Sequence, residues 1–345
     1  MLFSHKILHW YAQNKRTLPW RTTRNPYNIW LSEVILQQTK VAQGTPYYLK
    51  FTDTFPTIQD LASAPQEKVL KLWQGLGYYS RARNLHEAAK FIVSNLDGKF
   101  PKNYKELIKL KGIGDYTASA IASICFNAQE AVVDGNVYRV LSRYFGIDLP
   151  INSTKGIKYF KKLAIELLDK ENTRDYNQGI MEFGAIQCTP KNPDCISCPL
   201  KDSCVALQKG VVDNLPVKIK KTKVKKRYFN YIVPLIKNNG NFTILNQRKG
   251  KGIWQGLWEF PLIELAREAS LNEVEKEATA LLNLNTSLHA YNDVAIVHKL
   301  SHQHLYTKFW ILETSQEIDN MVKIEEIEKY PVPVLIADFI KTYKF

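Results

Sequence analysis

Four of the five cysteines in this 345-residue chain lie close together, at Cys188, Cys195, Cys198 and Cys204, while the fifth, Cys125, is distant in the sequence. Thiolates spaced this closely in a reduced protein bind a metal ion or a metal cluster. Zinc is the usual occupant of a structural four-cysteine site, and the Cys195-x2-Cys198 spacing alone would favour it. The complete x6–x2–x5 spacing matches neither common ferredoxin spacing. Residue types and spacing therefore predict a metal or cluster site.

Two carboxylates stand beside apolar residues. Glu33 is the first acidic residue of the chain and is flanked by helical apolar positions. A carboxyl group in such surroundings has a raised pKa and can hold the proton that a general acid needs. A surface glutamate on an amphipathic helix is the alternative. Asp134 follows Val132-Val133 and precedes a helical pattern, so it is a helix N-cap, a reacting carboxylate, or both.

A glycine-containing turn separates two predicted helices. The helix predicted from Tyr104 to Leu110 ends at Lys111-Gly112-Ile113-Gly114, and the next helix starts near Asp115. Glycines allow a sharp turn and a close approach to a ligand, and the unpaired amides that begin a helix favour phosphate. A plain helix–helix turn is the alternative, because a lone Gly-x-Gly is weak evidence.

The bulk composition narrows the function classes. The formal net charge of +14 predicts a polyanionic partner. No apolar run approaches the roughly 20 residues that span a bilayer, so we expect no membrane segment. Five cysteines in this length do not form a disulfide scaffold, which favours a reducing, cytoplasmic compartment. The acid-free first 32 residues resemble a transit peptide, but their tryptophans and apolar helical pattern favour a folded segment.

The hydrophobic pattern predicts several domains. Residues 1–210 have helical periodicity, and residues 211–228 form a basic linker in which seven of the ten residues from Lys218 to Arg227 are basic. Residues 229–345 form a smaller α/β or α+β domain of about 115 residues. Its predicted strands are 228–236 and 241–247, around an Asn238-Asn239-Gly240 turn, and the pair 294–300 and 305–312. Its predicted helices are 265–282 and 332–343.

Several motifs together resemble the MutY family of adenine DNA glycosylases. The glycine turn resembles the helix-hairpin-helix element of DNA repair glycosylases. The N-terminal segments that resemble the family signature are Leu18-Pro19-Trp20-Arg21, Pro26-Tyr27 and Ile29–Thr39. The glutamate, the hairpin, the aspartate, the cysteines and a C-terminal domain follow in family order. The resemblance implies an all-α helix-hairpin-helix core, comprising a six-helix domain of about 22–130 with its hairpin at 110–116. The N-terminal helices and residues 131–210 would form the cluster-bearing domain.

The resemblance also implies a reaction. Glu33 would protonate N7 of an adenine that has left the DNA stack, and Asp134 would stabilise or capture the oxocarbenium-like sugar. Tyr116 would line the pocket, and Asn136 would orient the carboxylates. The implied partner is double-stranded DNA containing adenine opposite 8-oxoguanine or guanine. A cytoplasmic bacterial monomer associated with the nucleoid is expected.

For the cysteines, the resemblance implies one [4Fe–4S] cluster with a structural and DNA-positioning role. The implied DNA contacts are Arg21, Gln38, Tyr78, Lys111, Gly112, Gly114 and Lys191. Among them, Gln38 and Tyr78 would enter the duplex beside the mispair, and Lys191 would meet phosphate from the cysteine loop. A packed tyrosine is the alternative for Tyr78.

The C-terminal region resembles another known fold. Gly256–Pro261 resembles the start of a Nudix domain of the MutT kind, but the following residues lack the Arg-Glu…Glu-Glu box that binds divalent metal. The domain would therefore recognise 8-oxoguanine without hydrolysing nucleotides. Ser301 and His302, in the segment His298–Leu305, are the implied recognition residues. A polar hairpin turn is the alternative.

Two other functions remain open at this point. An endonuclease III-like glycosylase and lyase would carry a lysine two residues after the second hairpin glycine, where this chain has Tyr116. A non-catalytic iron–sulfur protein that binds DNA would not need Glu33 and Asp134. The favoured prediction is a monofunctional hydrolase that removes adenine.

Overall fold

The computed structural model describes residues 2–219, 224–237, 240–284, 287–343 and 345. The chain divides into two compact units. The first comprises Met1–Ser63 and Asn84–Lys220, and the second comprises Ala64–Arg83 and Lys221–Phe345. A 20-residue stretch of the helical region thus belongs with the C-terminal domain, which the hydrophobic pattern did not indicate. In the described part of the chain, no helix is long and apolar enough to cross a membrane.

Helices dominate the first 220 residues. In chain order the helices are α1 Phe3–Asn14, α2 Pro26–Leu36, α3 Val41–Thr54, α4 Ile58–Ser63, α5 Gln66–Leu72, α6 Ser80–Asn95, α7 Tyr104–Leu107, α8 Asp115–Phe126, α9 Gly135–Phe145, α10 Thr154–Glu166, α11 Thr173–Glu182 and α12 Val205–Gln208. Short 3₁₀ turns lie at Pro19–Arg21, Lys201–Ser203 and Val212–Asn214, and a π-helical turn at Phe183–Gln187 follows α11. This confirms the helical core expected for the first region.

Local sequence explains where α2 lies. Pro26 occupies its first turn, and the Asn25 side chain caps it by accepting a hydrogen bond from the amide of Tyr27. Apolar residues surround the whole helix rather than one face, which is the pattern of a buried helix. Glu33 is accordingly buried with its neighbours, and the surface-glutamate alternative is wrong.

A glycine turn precedes α8, and a capping aspartate begins α9. Gly112 has a φ of +75°, and a Cβ there would lie 2.6 Å from Cβ of Asn84, so this turn needs glycine. Gly114 then begins α8. Asp134 is the N-cap of α9, which confirms one of the two roles predicted for it.

The core of the first unit gathers distant segments. Trp10 of α1, Phe160 of α10 and Phe183 after α11 belong to one buried apolar cluster, which also includes Val137 and Leu141 of α9. The N-terminal helix is therefore part of this core. The cluster also contacts Cys188 and Cys198, so the cysteine loop is attached to the same packing unit.

The second unit contains a mixed sheet. Its strands are β1 Lys225–Lys237, β2 Asn241–Ile244, β3 Asn246–Gln247, β4 Trp258–Glu259, β5 Leu262–Leu265, β6 Leu288–Ala290, β7 Ile296–Lys299, β8 Gln303–Thr314 and β9 Met321–Lys323. The main sheet has the order β6-β8-β1-β2-β9, with β5 also paired to β1 and β7 to β8. β1 and β8 are parallel, and the other pairs of this sheet are antiparallel. Helices α13 Leu271–Leu282 and α14 Val334–Tyr343 complete the unit.

Most predicted elements of this unit are present, with two corrections. The helix predicted from Leu265 starts at Leu271, because Leu262–Leu265 pairs with β1 and Ser270 forms a capping box with Glu273. β1 begins at Lys225, inside the segment predicted as a linker, since its basic residues continue the ladder with β8. The β7–β8 pair is confirmed. The predicted turn at Asn238 and Asn239 lies outside the described residues.

Candidate active site and cysteine centre

Glu33 lies in a small buried cavity of the first unit. The cavity has a volume of about 50 Å³ and is lined by Trp20, Arg21, Ile29, Glu33, Ile124, Gln178 and Met181. Burial raises the pKa of Glu33 to about 7, and the nearby Asp134 adds to the increase. A hydrogen bond from Tyr116 and the charge of Arg21 act in the opposite direction. Glu33 is therefore able to hold and release a proton near neutral pH.

Asp134 interacts electrostatically with Glu33 from the start of α9. Its Oδ1 accepts hydrogen bonds from the amides of Asn136 at 2.9 Å and Val137 at 2.8 Å, and its Oδ2 accepts one from Asn136 Nδ2 at 2.7 Å. Burial raises the pKa of Asp134, and these hydrogen bonds and Arg139 oppose the increase. Because three donors stabilise its charged form, Asp134 is better suited than Glu33 to remain ionised.

Tyr116 of α8 is partly buried and lies beside both carboxyls. Burial raises its pKa well above the usual value, and the charges of Glu33 and Asp134 raise it further. The phenol therefore stays protonated and can donate a hydrogen bond. Its oxygen also lies 3.5 Å from Sδ of Met181. The structure thus brings together all four residues predicted as catalytic: Glu33, Tyr116, Asp134 and Asn136.

Arg139 connects the site to the cysteine loop. Its guanidinium donates to Oδ1 of Asn136 at 2.8 Å, to the carbonyl of Gly184 at 2.5 Å and to the carbonyl of Cys188 at 2.7 Å. A Cβ on Gly184 would lie 2.6 Å from Cβ of Asn136, so glycine permits this close contact. A continuous hydrogen-bonded path therefore runs from Asp134 through Asn136 and Arg139 to Cys188.

The four clustered cysteines are reduced and partly buried. Burial raises the pKa of Cys195 and that of Cys198, the latter to about 11. The neighbouring cysteines add to both increases. Arg143 donates to Sγ of Cys188 at 3.4 Å and to the carbonyl of Thr189 at 2.7 Å. In the described ranges, no group of three or more His, Cys, Asp or Glu side chains is arranged to hold a metal ion. The fit to a cluster therefore rests on the chemistry of the donor set, four neighbouring thiols beside an arginine.

The hairpin presents backbone toward solvent. Lys111 is exposed and lies 3.7 Å from Glu87. No side chain caps the N-terminus of α8 at Gly114, and the space beside its Cα is open. Lys161 lies 3.1 Å from Asp115 and offsets the one acidic residue of the first turn. This geometry suits an anionic ligand.

Three of the four remaining predicted DNA contacts, Lys191, Gln38 and Arg21, lie in the first unit. Lys191 is exposed in the cysteine loop. Gln38 follows α2 with a φ of +56°, which is rare for a residue with a side chain. Arg21 instead lies in the Glu33 cavity, with its side chain 16% exposed and bound to Glu182.

In the second unit, two predicted residues from distant parts of the sequence meet. The hydroxyls of Tyr78 and Ser301 lie 2.5 Å apart. Both line a cavity of about 600 Å³ together with Trp254, Leu300 and His302. Tyr78 has a φ of +47° and is 52% exposed, so it is not a packed tyrosine. Nε2 of His302 lies 3.3 Å from the Gln303 amide nitrogen.

The sequence predictions missed several residues of the site. Gln178 and Met181 of α11 line the Glu33 cavity, and Glu182 holds Arg21. Glu182 stands between Met181 and Phe183, so the argument that identified Glu33, an acid among apolar residues, would also have identified Glu182. Gln178 and Met181 have no such signal, because their function depends on the cavity that α11 encloses.

Family models and curated proteins are similar to this chain. Residues 31–178 match the family of HhH-GPD superfamily base excision DNA repair proteins, and residues 232–342 match the NUDIX domain family. An adenine DNA glycosylase of Buchnera aphidicola subsp. Baizongia pistaciae is 38% identical, with 90% of this chain and 86% of that protein covered. The adenine DNA glycosylase of Homo sapiens is 35% identical, with 86% of this chain and 66% of that protein covered.

Solved structures show the same helical architecture. A thermostable thymine-DNA glycosylase is similar with a TM-score of 0.56 and 32% identity, covering 60% of this chain and 95% of that chain. A trapped endonuclease III–DNA covalent intermediate has a TM-score of 0.53 at 23% identity, covering 60% and 94%, and this likeness supports the fold alone. The predicted family, fold class and enzyme class are confirmed, and the chain belongs to the adenine DNA glycosylase family of base excision repair hydrolases.

Proposed function

We propose that this protein hydrolyses the N-glycosidic bond of adenine opposite 8-oxoguanine or guanine in double-stranded DNA, without cutting the strand. The observation that supports this most directly is the pair of buried carboxyls with different environments. Glu33 has a pKa raised to about 7 by burial, whereas Asp134 receives three hydrogen bonds that favour its charge. Such a difference separates an acid from an electrostatic stabiliser.

The proposed reaction begins with an adenine outside the helical stack. Glu33 donates its proton to N7, which makes the base a better leaving group, and the C1′–N9 electron pair leaves with the base. The Asp134 carboxylate stabilises the positive charge that develops on the sugar. Water then adds its oxygen to C1′ and loses a proton, which leaves an abasic sugar and free adenine. Tyr116 stands where a lyase would carry its nucleophilic lysine, so strand cleavage is not expected.

The Glu33 cavity, at about 50 Å³, is smaller than a purine. Side chains must therefore move when the base enters. Met181 is suited to this, because its unbranched side chain adapts to irregular spaces. Gln178 lines the same cavity and offers an amide that can both donate to and accept from a base edge.

A single-turnover excision assay tests this proposal. Duplexes with adenine opposite 8-oxoguanine, guanine or thymine are incubated with excess enzyme, and free adenine and abasic sites are quantified. We expect adenine release from the first two duplexes and little from the third. Borohydride added during the reaction should trap little protein on DNA. No base release from any duplex, or efficient covalent trapping, would contradict the proposal.

Recognition of 8-oxoguanine is proposed for the cavity that contains Tyr78, Ser301 and His302. 8-Oxoguanine differs from guanine by a hydrogen on N7 and an oxygen on C8. The Ser301 hydroxyl can accept from the first or donate to the second. Its contact with Tyr78 Oη at 2.5 Å supports a preset orientation for that hydroxyl.

Substitution of Ser301 by alanine is expected to reduce discrimination rather than catalysis. Losing one hydrogen bond of about 1 kcal/mol should lower excision opposite 8-oxoguanine by roughly five-fold. Excision opposite guanine should change little. The ratio of the two rates under limiting enzyme is the measurement, and Ser315→Ala, an exposed serine of the same unit, is the matched control. An equal loss on both substrates would mean that Ser301 does not read the oxidised base.

We further propose that Cys188, Cys195, Cys198 and Cys204 hold one [4Fe–4S] cluster. Cluster binding would deprotonate these thiols and fix the loop that carries Lys191. Because Cys188 and Cys198 contact the core of the first unit, the cluster would stabilise that unit and its DNA contacts. No catalytic step is assigned to it.

Replacement of Cys198 by alanine is therefore expected to lower iron content, thermal stability and DNA affinity together. Cys125→Ala is the control, because Cys125 is distant from the four in sequence and contributes to a different apolar cluster. Iron and sulfide analysis, visible absorbance and thermal unfolding supply the readouts. If the Cys198 variant retains full iron content, or if zinc replaces iron in the isolated protein, the cluster assignment fails.

Sequence-independent DNA binding is proposed for the hairpin and the basic surface. Lys111 and the uncapped start of α8 at Gly114 suit a phosphate, with Gly112 forming the turn before it, and Lys191 adds a cation on the cysteine loop. The net charge of +14 supports a strong dependence of affinity on salt. We expect the protein to act as a monomer.

A further inference from the structure

Glu182, the last residue of α11, is a third buried carboxylate near the reaction site. Its side chain is 1% exposed. It accepts five hydrogen bonds, three from the amide and guanidinium of Arg16 and two from the guanidinium of Arg21, at 2.7–3.0 Å. These bonds lower the pKa of Glu182 to about 2 despite its burial, which acts in the opposite direction. Glu182 is therefore ionised throughout the working pH range.

Arg21 forms an ion pair with Glu182 and also lines the cavity that contains Glu33. Its two terminal nitrogens donate to the two carboxylate oxygens of Glu182 at 2.9 and 2.7 Å, and one of them also donates to the carbonyl of Arg16 at 2.9 Å. The ring of Tyr11 lies 5.7 Å from the guanidinium carbon. Among the described residues, no ion pair joins Arg21 to Glu33.

Glu33 and Glu182 are both buried glutamates, yet the pKa of Glu33 is raised and that of Glu182 is lowered. The difference follows from which of them the arginines contact. A guanidinium beside a carboxyl favours its charged form, so an Arg21 paired with Glu33 would make Glu33 a poorer proton donor.

We propose that Glu182 is a positioning residue for the excision reaction, which holds the Arg21 guanidinium away from the Glu33 carboxyl so that Glu33 keeps its proton. This inference rests on the proposed role of Glu33 as the acid. The bidentate pair restrains Arg21 at the cavity wall. At the cavity wall, the Arg21 charge would face the entering base and would not pair with the Glu33 carboxyl.

The other charged or titratable groups around Glu33 would not substitute for this restraint. Tyr116 and Cys125 of α8 are neutral, because burial raises the pKa of each, that of Cys125 to about 12. Asp134 is an acid and cannot pair with Glu33. Near Arg21, the Arg174 side chain is also a cation, and it donates to the backbone carbonyl of Arg21 at 3.5 Å. Removal of the Glu182 charge would leave Glu33 as the acid that shares the small cavity with Arg21, while Glu171 and Asp175 line a separate, larger cavity with it.

The test uses Glu182→Gln, which removes the charge and keeps the size. Full-length protein labelled with ¹³C at glutamate carboxyls is titrated by NMR, and the Glu33 signal is assigned with Glu33→Gln. In Glu182→Gln we expect the Glu33 midpoint to fall by about one pH unit or more, because Arg21 is released to pair with it. The double variant Glu182→Gln/Arg21→Met should restore the midpoint. An unchanged midpoint in Glu182→Gln would overturn the inference.

Excision kinetics supply the second readout. The rate of Glu182→Gln relative to wild type should be about ten-fold lower at pH 8 than at pH 5.5, since one pKa unit corresponds to a ten-fold change in protonation. A loss by the same factor at both pH values would indicate a merely structural role and would contradict the inference. Retention of excision by Glu33→Gln would instead overturn the proposed function, while the NMR titration would still report on Arg21.

A second variant covers failure of Glu182→Gln to fold. In Arg21→Met, the Glu33 midpoint should rise by less than about half a pH unit, because Glu182 already withholds Arg21 from it. A rise of more than about one unit would mean that Arg21 already neutralises Glu33, and the inference would fail.

Discussion

Substitution of Glu33 by glutamine is expected to lower the single-turnover excision rate by about 10²–10⁴-fold, the range typical for loss of a general acid. Glutamine keeps the size and one carbonyl oxygen but cannot supply a proton to N7. DNA affinity should be preserved, because Glu33 is buried rather than placed on the exposed surface. Glu277→Gln, an exposed glutamate on α13, is the control and should leave the rate unchanged.

The same variant should change stability in a pH-dependent way. The pKa of Glu33 is raised to about 7 in the folded protein, from a usual value of 4.5. Because its pKa is raised, protonated Glu33 contributes to the stability of the folded protein at low pH. This contribution is lost as pH rises through about 7. Wild-type protein should therefore lose roughly 2–3 kcal/mol of stability between pH 5 and pH 8 that Glu33→Gln does not lose. Urea unfolding of both proteins at pH 5 and pH 8 measures this difference.

Two outcomes would contradict the assignment of Glu33. One is excision by Glu33→Gln at a rate within ten-fold of wild type, which would place the acid elsewhere. The other is an equal stability difference at pH 5 and pH 8, which would mean that Glu33 does not titrate in this range. Wild-type excision should itself decline as pH rises through about 7, since the acid form is then lost.

Replacement of Asp134 by asparagine should lower excision by at least about 10²–10³-fold, as expected when a charge that stabilises the transition state is removed. The fold should persist, because asparagine caps a helix as well as aspartate does. Its Oδ1 can still accept from the amides of Asn136 and Val137. DNA affinity should also persist, so the defect should appear in the chemical step alone.

Asp134→Ala separates the two roles of this residue. It removes both the charge and the cap, so it should lose a similar amount of activity and, in addition, about 1 kcal/mol of stability. Single-turnover kinetics, DNA binding and unfolding of the two variants distinguish these effects. If Asp134→Asn unfolds or fails to bind DNA, Asp134 acts as a structural residue and the proposed mechanism loses its stabilising charge.

Much of the local structure followed from the sequence. The capping role of Asp134, the positive φ at Gly112 and the β7–β8 pair depend on interactions within a few residues, which the amino-acid types reveal directly. The two misplaced boundaries depended at least partly on long-range pairing, although the Ser270–Glu273 capping box that starts α13 is a local signal. The start of β1 depends on its ladder with β8, and the strand before α13 exists because β1 pairs with it. Neither partner is visible from the local pattern.

By itself the sequence determined the ordered set of chemical groups: an acid, a hairpin, an aspartate and four cysteines. Only the tertiary structure decided which groups meet. Tyr78 and Ser301 are 223 residues apart and share a hydrogen bond, and Glu182 reaches Arg21 across 161 residues. Burial in the folded core is what raises the pKa of Glu33, and pairing with arginines is what lowers that of Glu182. Periodicity and spacing are short-range properties, whereas the dielectric surroundings and partner of a carboxyl arise only when distant segments pack together.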